Sequence, residues 1–435
     1  MDTLYAALAA ARPALESNSR LQRLALGGPT LAGAAAYYSL RPAAASRRAS
    51  RAMRSPDISF VRRAWAPLSH PWLVRAAEAA ASLEFGLRLV SAERCLVGGV
   101  PCRIYATRPL TDAPCQVLVY VHGGAFVASL LAADLTVLGA LGRATGAVIV
   151  YPEYSLAPEH PYPCALDEVL RVYRALDHRR TDAKPALGSP AKTPSKKPNS
   201  SGGHQTLAAE AWLEAARIGR IAVVGESAGG NLAAALVCRL ARESLAQESL
   251  ARESLVRASL VRASSAQESQ GTVAQEASSP AGRAPRAPDG LVLAYPALNV
   301  TLAPSTSRAV HNFDPVLPLG IMYAVLGAYP GPRGEAHAAK GSDPFLSPYH
   351  ATDELLARFP PTHLIAGGFD PLLDESVDFY GRLRRMGVAS SLHVGPALPH
   401  GFFGLVKISD AARRAVQTAI DFLESPAIFG RPPPA

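Results

Sequence analysis

The chain has no C-x-x-C pair, and its five cysteines, Cys95, Cys102, Cys115, Cys164 and Cys238, are odd in number. Neither a disulfide framework nor a zinc site is indicated, and each thiol reads as core filler in a reducing compartment. Long apolar runs are also missing. Between Arg23 and Arg41 lie 17 uncharged residues, but Gly27, Gly28, Pro29, Thr30 and Gly33 make them weakly apolar, short of the ~20 apolar residues that a spanning helix needs. Acids are scarce at the start: residues 1–75 hold eleven Arg against Asp2, Glu16 and Asp57.

The remaining positive charge sits in one more place, residues 178–203, where six Lys or Arg face Asp182 alone. These two stretches account for more than the whole chain's net +9, so the rest is slightly acidic. The basic balance therefore belongs to an arm and an insert, and no nucleic-acid partner is expected. Residues 1–55, rich in Ala, Arg and Ser, read as a targeting segment or a disordered basic arm. A cytoplasmic location is expected, with organelle targeting or peripheral membrane contact through this prefix as the alternatives.

At 435 residues and 49% hydrophobic composition, the chain can hold one large α/β domain with insertions. Cys102–Ala106 alternates like an early strand, Gln116–Val121 and Ala147–Tyr151 read as buried strands, and Ala165–Leu176 reads as a helix. This alternation predicts a mainly parallel central sheet flanked by helices. Two low-complexity inserts interrupt it. Residues 178–204, rich in Lys, Pro, Ser and Gly, hold nothing that could form a core and read as a disordered loop. The second, about 240–288, contains a five-residue repeat beginning Arg242-Glu243-Ser244-Leu245-Ala246. A leucine every fifth residue advances about 140° per repeat and makes no apolar stripe, so a disordered or partly helical extension is expected, without a catalytic role.

The chemistry gathers around Gly225-Glu226-Ser227-Ala228-Gly229-Gly230-Asn231-Leu232, which follows the apolar run Ile221–Val224. Strand, sharp turn and helix would lift the Ser227 hydroxyl out at the top of a sheet. A hydroxyl is a poor nucleophile at neutral pH and needs a base, an acid to orient that base, and donors for the developing oxyanion. Asp370, just past the strand Thr362–Phe369, is the candidate acid; Asp374 and Glu375 fall on the next helix, where acids favour the N-terminus. His400, on a loop between strand and final helix, is the candidate base, while His393 alternates within a strand and reads as structural. The candidate oxyanion donors are backbone N–H groups of Gly123, Gly124, Ala125 and Ala228, in the turn after Gln116–Val121 and directly after the nucleophile.

Five stretches together resemble the hormone-sensitive lipase family of α/β-hydrolases. His122-Gly123-Gly124-Ala125 is similar to its H-G-G-G, and Tyr154–Pro163 to its Y-x-L-A-P-E-x-x-x-P. Gly225–Leu232 is similar to G-D-S-A-G-G-N-L, Asp370–Glu375 to D-P-L-x-D-E, and Pro399-His400-Gly401-Phe402 to its histidine loop. In this alignment His122, Glu226, Gly225 and Gly229 support the motifs. Ala125 departs from the third glycine, where a positive φ would cost roughly 1 kcal/mol, and Glu226 replaces Asp with a longer reach.

The resemblance implies an α/β-hydrolase catalytic domain over about 113–430. It also implies cap helices and first strands over 56–112 and a cap segment over 305–345. The implied activity is hydrolysis of carboxylic esters, from short acyl esters to acylglycerols, through an acyl-enzyme and without cofactor or metal. The partner is then a small-molecule or lipid ester. An amidase or formamidase on the same triad stays open, as does a non-catalytic small-ligand receptor like the plant gibberellin receptors, which lack the histidine.

Overall fold

Strands that read as unbroken apolar runs must be covered on both faces, which requires helices above and below one sheet. The computed structural model describes residues 58–90, 95–110, 114–129, 131–181, 209–265, 286–301, 303–331 and 342–430. Its strands are β1 (Arg88–Leu89), β2 (Cys95–Val97), β3 (Val100–Ala106), β4 (Cys115–Val121), β5 (Val148–Pro152), β6 (Ile218–Glu226), β7 (Gly290–Ala294), β8 (Thr362–Gly367) and β9 (Ser390–Gly395). They form one sheet in the order β1-β3-β5-β4-β6-β7-β8-β9, with β2 paired to β3. β1, β2 and β5 pair with β3 antiparallel; every pairing from β5 through β4 to β9 is parallel.

The helices are α1 (Ile58–Trp65), α2 (Pro71–Phe85), α3 (Leu131–Thr145), α4 (Cys164–Asp177), α5 (Ala209–Ala215) and α6 (Ala228–Ser265). After these come α7 (Thr306–Val310), α8 (Leu319–Ala328), α9 (Asp353–Leu356), α10 (Leu373–Arg385) and α11 (Asp410–Glu424). Alternate residues of β4 feed two separate cores. Val117, Val119 and Val121 pack with α4, α5, α6 and α10, while Leu118 and Tyr120 pack with α2, α3 and α11. The expected strands and α4 therefore stand where the apolar patterns put them.

Two expectations change. Residues 240–265 are not a disordered insert: α6 continues from the turn after Ser227 to Ser265. Ala, Leu, Arg, Glu and Gln are strong helix formers, which is sufficient reason for the repeat to prolong a helix already nucleated in the core. Its leucines do spiral into solvent, with Leu250 63% and Leu255 71% exposed. The extension is tied down by Arg174 to Glu243 at 2.6 Å and Arg358 to Glu248 at 2.7 Å. Second, of residues 56–112, expected to supply cap helices and first strands, α2 lies on the flank of the sheet against α3, where Glu78 accepts from Tyr105 of β3. α1 packs on α8, within the expected cap segment. Residues 1–55, 182–204 and 266–285 lie outside the described residues.

Candidate active site

The central strands end at one edge of the sheet, and the candidate residues converge there. Ser227 follows β6 directly, with φ 51°, and α6 begins at the next residue. That left-handed conformation is uncommon for a non-glycine residue and belongs to the sharp strand-to-helix turn. Its N–H donates to Ala294 O at 2.9 Å, and its carbonyl accepts from Ala297 N at 3.0 Å. Gly229 shows why the helix can start so close: a Cβ there would stand 1.9 Å from Val121 O.

Ser227 Oγ lies 2.9 Å from His400 Nε2, and His400 Nδ1 lies 2.9 Å from Asp370 Oδ2. The three side chains that the sequence singled out are thus brought together in one chain of contacts. Asp370 and His400 are buried, and the second Asp370 oxygen accepts from Leu372 N at 2.8 Å. Burial disfavours the charged imidazole, but the carboxylates of Asp370, then Asp314 and Glu226, outweigh it, so the His400 pKa is raised above its ordinary value. Tyr295 sets its ring edge-on to the imidazole, with centroids 5.1 Å apart. His393 stays within β9, in register with Ile365.

The turn after β4 has the left-handed backbone that its glycines and Ala125 imply. Gly124 has φ 109°, Ala125 φ 54° and Phe126 φ 63°. A Cβ on Gly124 would sit 2.0 Å from Ala128 O, so only glycine fits that position. Ala125 accepts the cost expected for it because the turn is held from several sides. Val127 N and Ala128 N donate to Gly124 O, Tyr154 Oη donates to His122 O at 2.8 Å, and Phe126 stacks on Tyr329, just after α8, with centroids 3.7 Å apart. His122 is buried, which pushes its pKa down to about 4 and keeps its ring neutral. It stacks on Tyr154 with centroids 4.1 Å apart.

One expected oxyanion donor is committed elsewhere. Gly123 N donates to Glu226 Oε1 at 3.2 Å, a contact that the longer glutamate reaches from the end of β6. That leaves Gly124, Ala125 and Ala228 of the original four. Glu226 Oε2 in turn accepts from Tyr295 Oη. Behind it lies Asp134 on α3, which accepts from Tyr151 Oη at 2.8 Å; burial, then the Glu226 charge, raises its carboxyl well above the usual range.

No motif points to Tyr295 or Asp134, and the sequence marks Asp314 only as part of Asp314–Gly320 in the cap segment 305–345, without a role at the base. Tyr295 could have been suspected from its place at the end of a buried strand, but Asp134 carries no local signal. Asp374 and Glu375 also do more than complement a helix dipole. Asp374 Oδ2 accepts from Ser307 N at 2.8 Å, and Glu375 pairs with buried Arg308 at 2.7 Å, its own carboxyl pushed up to about 7 by burial. Both therefore fasten α10 to α7.

A cavity of about 520 Å³ opens between α1 and the continuation of the β4 turn, lined among others by Arg62, Trp65, Val127, Ser129, Leu156 and His160. Arg62 crosses its wall, donating to Val127 O, to Ala157 O and to both Glu159 oxygens. Ser227, Asp370 and His400 do not line it. Among the described residues no group of His, Cys, Asp or Glu could hold a metal ion, and no helix is long and apolar enough to cross a membrane.

A family model for the α/β-hydrolase fold matches residues 118–404. The chain belongs to that family. This α/β-hydrolase is 32% identical to mouse (Mus musculus) hormone-sensitive lipase over 145 residues, 28% of this chain and 19% of the mouse protein. It is 26% identical to esterase LipI of Mycobacterium tuberculosis over 325 residues, 74% of this chain and 77% of LipI. Among solved structures it resembles an esterase of Pyrobaculum calidifontis with a TM-score of 0.56 and 22% identity, covering 86% of this chain and 95% of that one. The last is a likeness of fold. The sequence relatives carry the hormone-sensitive lipase resemblance that the five motifs announced, although the match spans only about a fifth of the mouse protein.

Proposed function

We propose that this α/β-hydrolase cleaves carboxylic esters, with Ser227 as nucleophile, His400 as general base and acid, and Asp370 as the carboxylate that orients His400. The observation that carries this reading is the pair of 2.9 Å contacts linking Ser227 Oγ to His400 Nε2 and His400 Nδ1 to Asp370 Oδ2. The esterase and lipase names of the relatives support an ester as the substrate.

In the first half-reaction the Ser227 proton passes to His400 Nε2 as Oγ bonds the ester carbonyl carbon. Asp370 holds the Nδ1–H tautomer and stabilises the imidazolium. The carbonyl oxygen becomes an oxyanion facing the N–H groups of Gly124, Ala125 and Ala228, and one such donor typically lowers the barrier by ~3 kcal/mol. Collapse breaks the bond to the leaving oxygen, which takes the proton from Nε2 and departs as alcohol. Water then gives a proton to Nε2 and its oxygen to the acyl carbon; collapse releases the carboxylic acid and returns the proton to Ser227. Acyl groups from acetyl to those of acylglycerols define the range in which the substrate falls.

Labelling with a fluorophosphonate probe, mapped by mass spectrometry, tests the site. The expected result is a single adduct on Ser227 that disappears in His400→Ala. No adduct, or one on another serine, contradicts the assignment.

A further inference from the structure

The cap segment places a second carboxylate on the residue that carries the base. Asp314 is buried, and its oxygens are taken up by three backbone N–H groups: Oδ1 by Val316 at 2.8 Å and Leu317 at 2.7 Å, Oδ2 by His400 itself at 2.8 Å. Among the described residues no Lys or Arg pairs with it, and the positive charge that acts on it is that of protonated His400. A carboxylate taken out of water without a countercharge is unfavourable unless donors hold it. Here one of the three donors is the amide of the candidate base. The same turn also presses on the next residue, since a Cβ on Gly401, at φ 68°, would lie 3.3 Å from Val316 Cγ1. The loop carrying His400 is thus seated against the cap turn at two successive residues.

We propose that Asp314 is a positioning residue for ester hydrolysis: it fixes the His400 backbone from the cap side and places a negative charge beside the imidazolium formed during the reaction. This rests on the ester-hydrolase reading above. Three carboxylates then act on His400, each from a different element: Asp370 after β8, Asp314 between α7 and α8, and Glu226 at the end of β6; the Tyr295 ring packs against the imidazole. Asp370 sets the tautomer. Asp314 makes its contact through the main chain, so the segment that carries it also helps to hold the base. Displacement of the cap turn would slacken His400 even with the three triad side chains intact.

An amide cannot replace this carboxylate. Asn has one acceptor oxygen, so its NH2 must face either the His400 N–H or the Val316 and Leu317 pair. The test is the pH profile of kcat/KM for p-nitrophenyl acetate in the full chain, comparing the parent with Asp314→Asn, Asp314→Ser and Leu317→Ala. Loss of the charge should move the acid limb toward lower pH by about one unit and lower plateau kcat about tenfold or more. Asp314→Ser removes the charge in a smaller side chain and gives the same reading if the amide variant does not fold. Leu317→Ala, which loosens the same turn but keeps the carboxylate, should lower thermal stability and leave the acid limb in place. An unmoved limb in a folded Asp314 variant, or an equal shift in Leu317→Ala, overturns the proposal while leaving the triad untouched. A parent chain that neither hydrolyses the ester nor reacts with the fluorophosphonate overturns the ester-hydrolase reading, and this inference with it.

Discussion

Helix α6 is two different objects in one run of hydrogen bonds. Its first part, from Leu232 to Cys238, is fully enclosed, whereas Leu250, Leu255 and Val256 in the repeat are 63%, 71% and 57% exposed. Both parts are written in good helix formers, so local propensity does not separate them. Contact with the rest of the fold does. At the enclosed end the backbone passes so near β4 that Gly229 admits no side chain, and Ser227 is held by Ala294 O and Ala297 N. At the exposed end Arg358 and Glu248 bridge the helix to the loop after α9 across its surface. Precision at the nucleophile comes from packing, whereas the exposed end is tied to the fold by ion pairs across its surface.

The largest effect that would sharpen this contrast is at Gly229. Gly229→Val puts a branched side chain onto Val121 O, where neighbouring backbone cannot give way, and should cost more than about 4 kcal/mol, read as loss of soluble folded protein. Next, Leu236→Ala in the enclosed part should cost about 3 kcal/mol, whereas Leu250→Ala should stay within about 0.5 kcal/mol. Urea denaturation of the pair measures both, and equal costs would break the distinction. Tyr295→Phe leaves Glu226 Oε2 without its buried donor and should cost about 1–3 kcal/mol, with kcat lowered through the Gly123 turn. The smallest effect is expected from replacing residues 242–286 by a short linker: hydrolysis and thermal midpoint should be nearly unchanged, and collapse of soluble expression would assign the repeat a structural role.

The enclosed end should also carry the pH dependence. His400 must be neutral to take the Ser227 proton, and its pKa is raised above the ordinary 6.5 because Asp370, Asp314 and Glu226 outweigh burial. Activity is therefore lost as pH falls through that raised value, and the acid limb of kcat/KM should lie above 6.5. A limb below 6.5 would mean that burial dominates and the carboxylates do not.

The sheet, Ser227, Asp370 and His400 could be read from the sequence because each leaves a local trace: an unbroken apolar run, glycines around a serine, a carboxylate or imidazole just past a strand. Glu226 could be seen as a departure, but what its extra methylene does could not. It captures the Gly123 N–H that the sequence offered to the oxyanion. Asp134 and the Arg308–Glu375 pair act through elements far apart in sequence, and composition around them is ordinary; Asp314 could be placed in the cap segment that the resemblance implies, but not against His400. The repeat leaves two outcomes open, a disordered insert or a partly helical extension, and as far as Ser265 it is the helix. Its leucine spacing correctly excludes an apolar stripe, yet a helix needs no stripe when it grows out of one already anchored.

The most direct measurement is hydrolysis of a chromogenic ester series, from acetyl to long acyl, by the parent chain and by Ser227→Ala. The account predicts that the parent turns over part of the series and that the variant loses on the order of 10⁶-fold in kcat, with the acyl optimum reporting the size of the acyl site. A parent that hydrolyses no ester, or a Ser227→Ala variant that retains the parental rate, would contradict it.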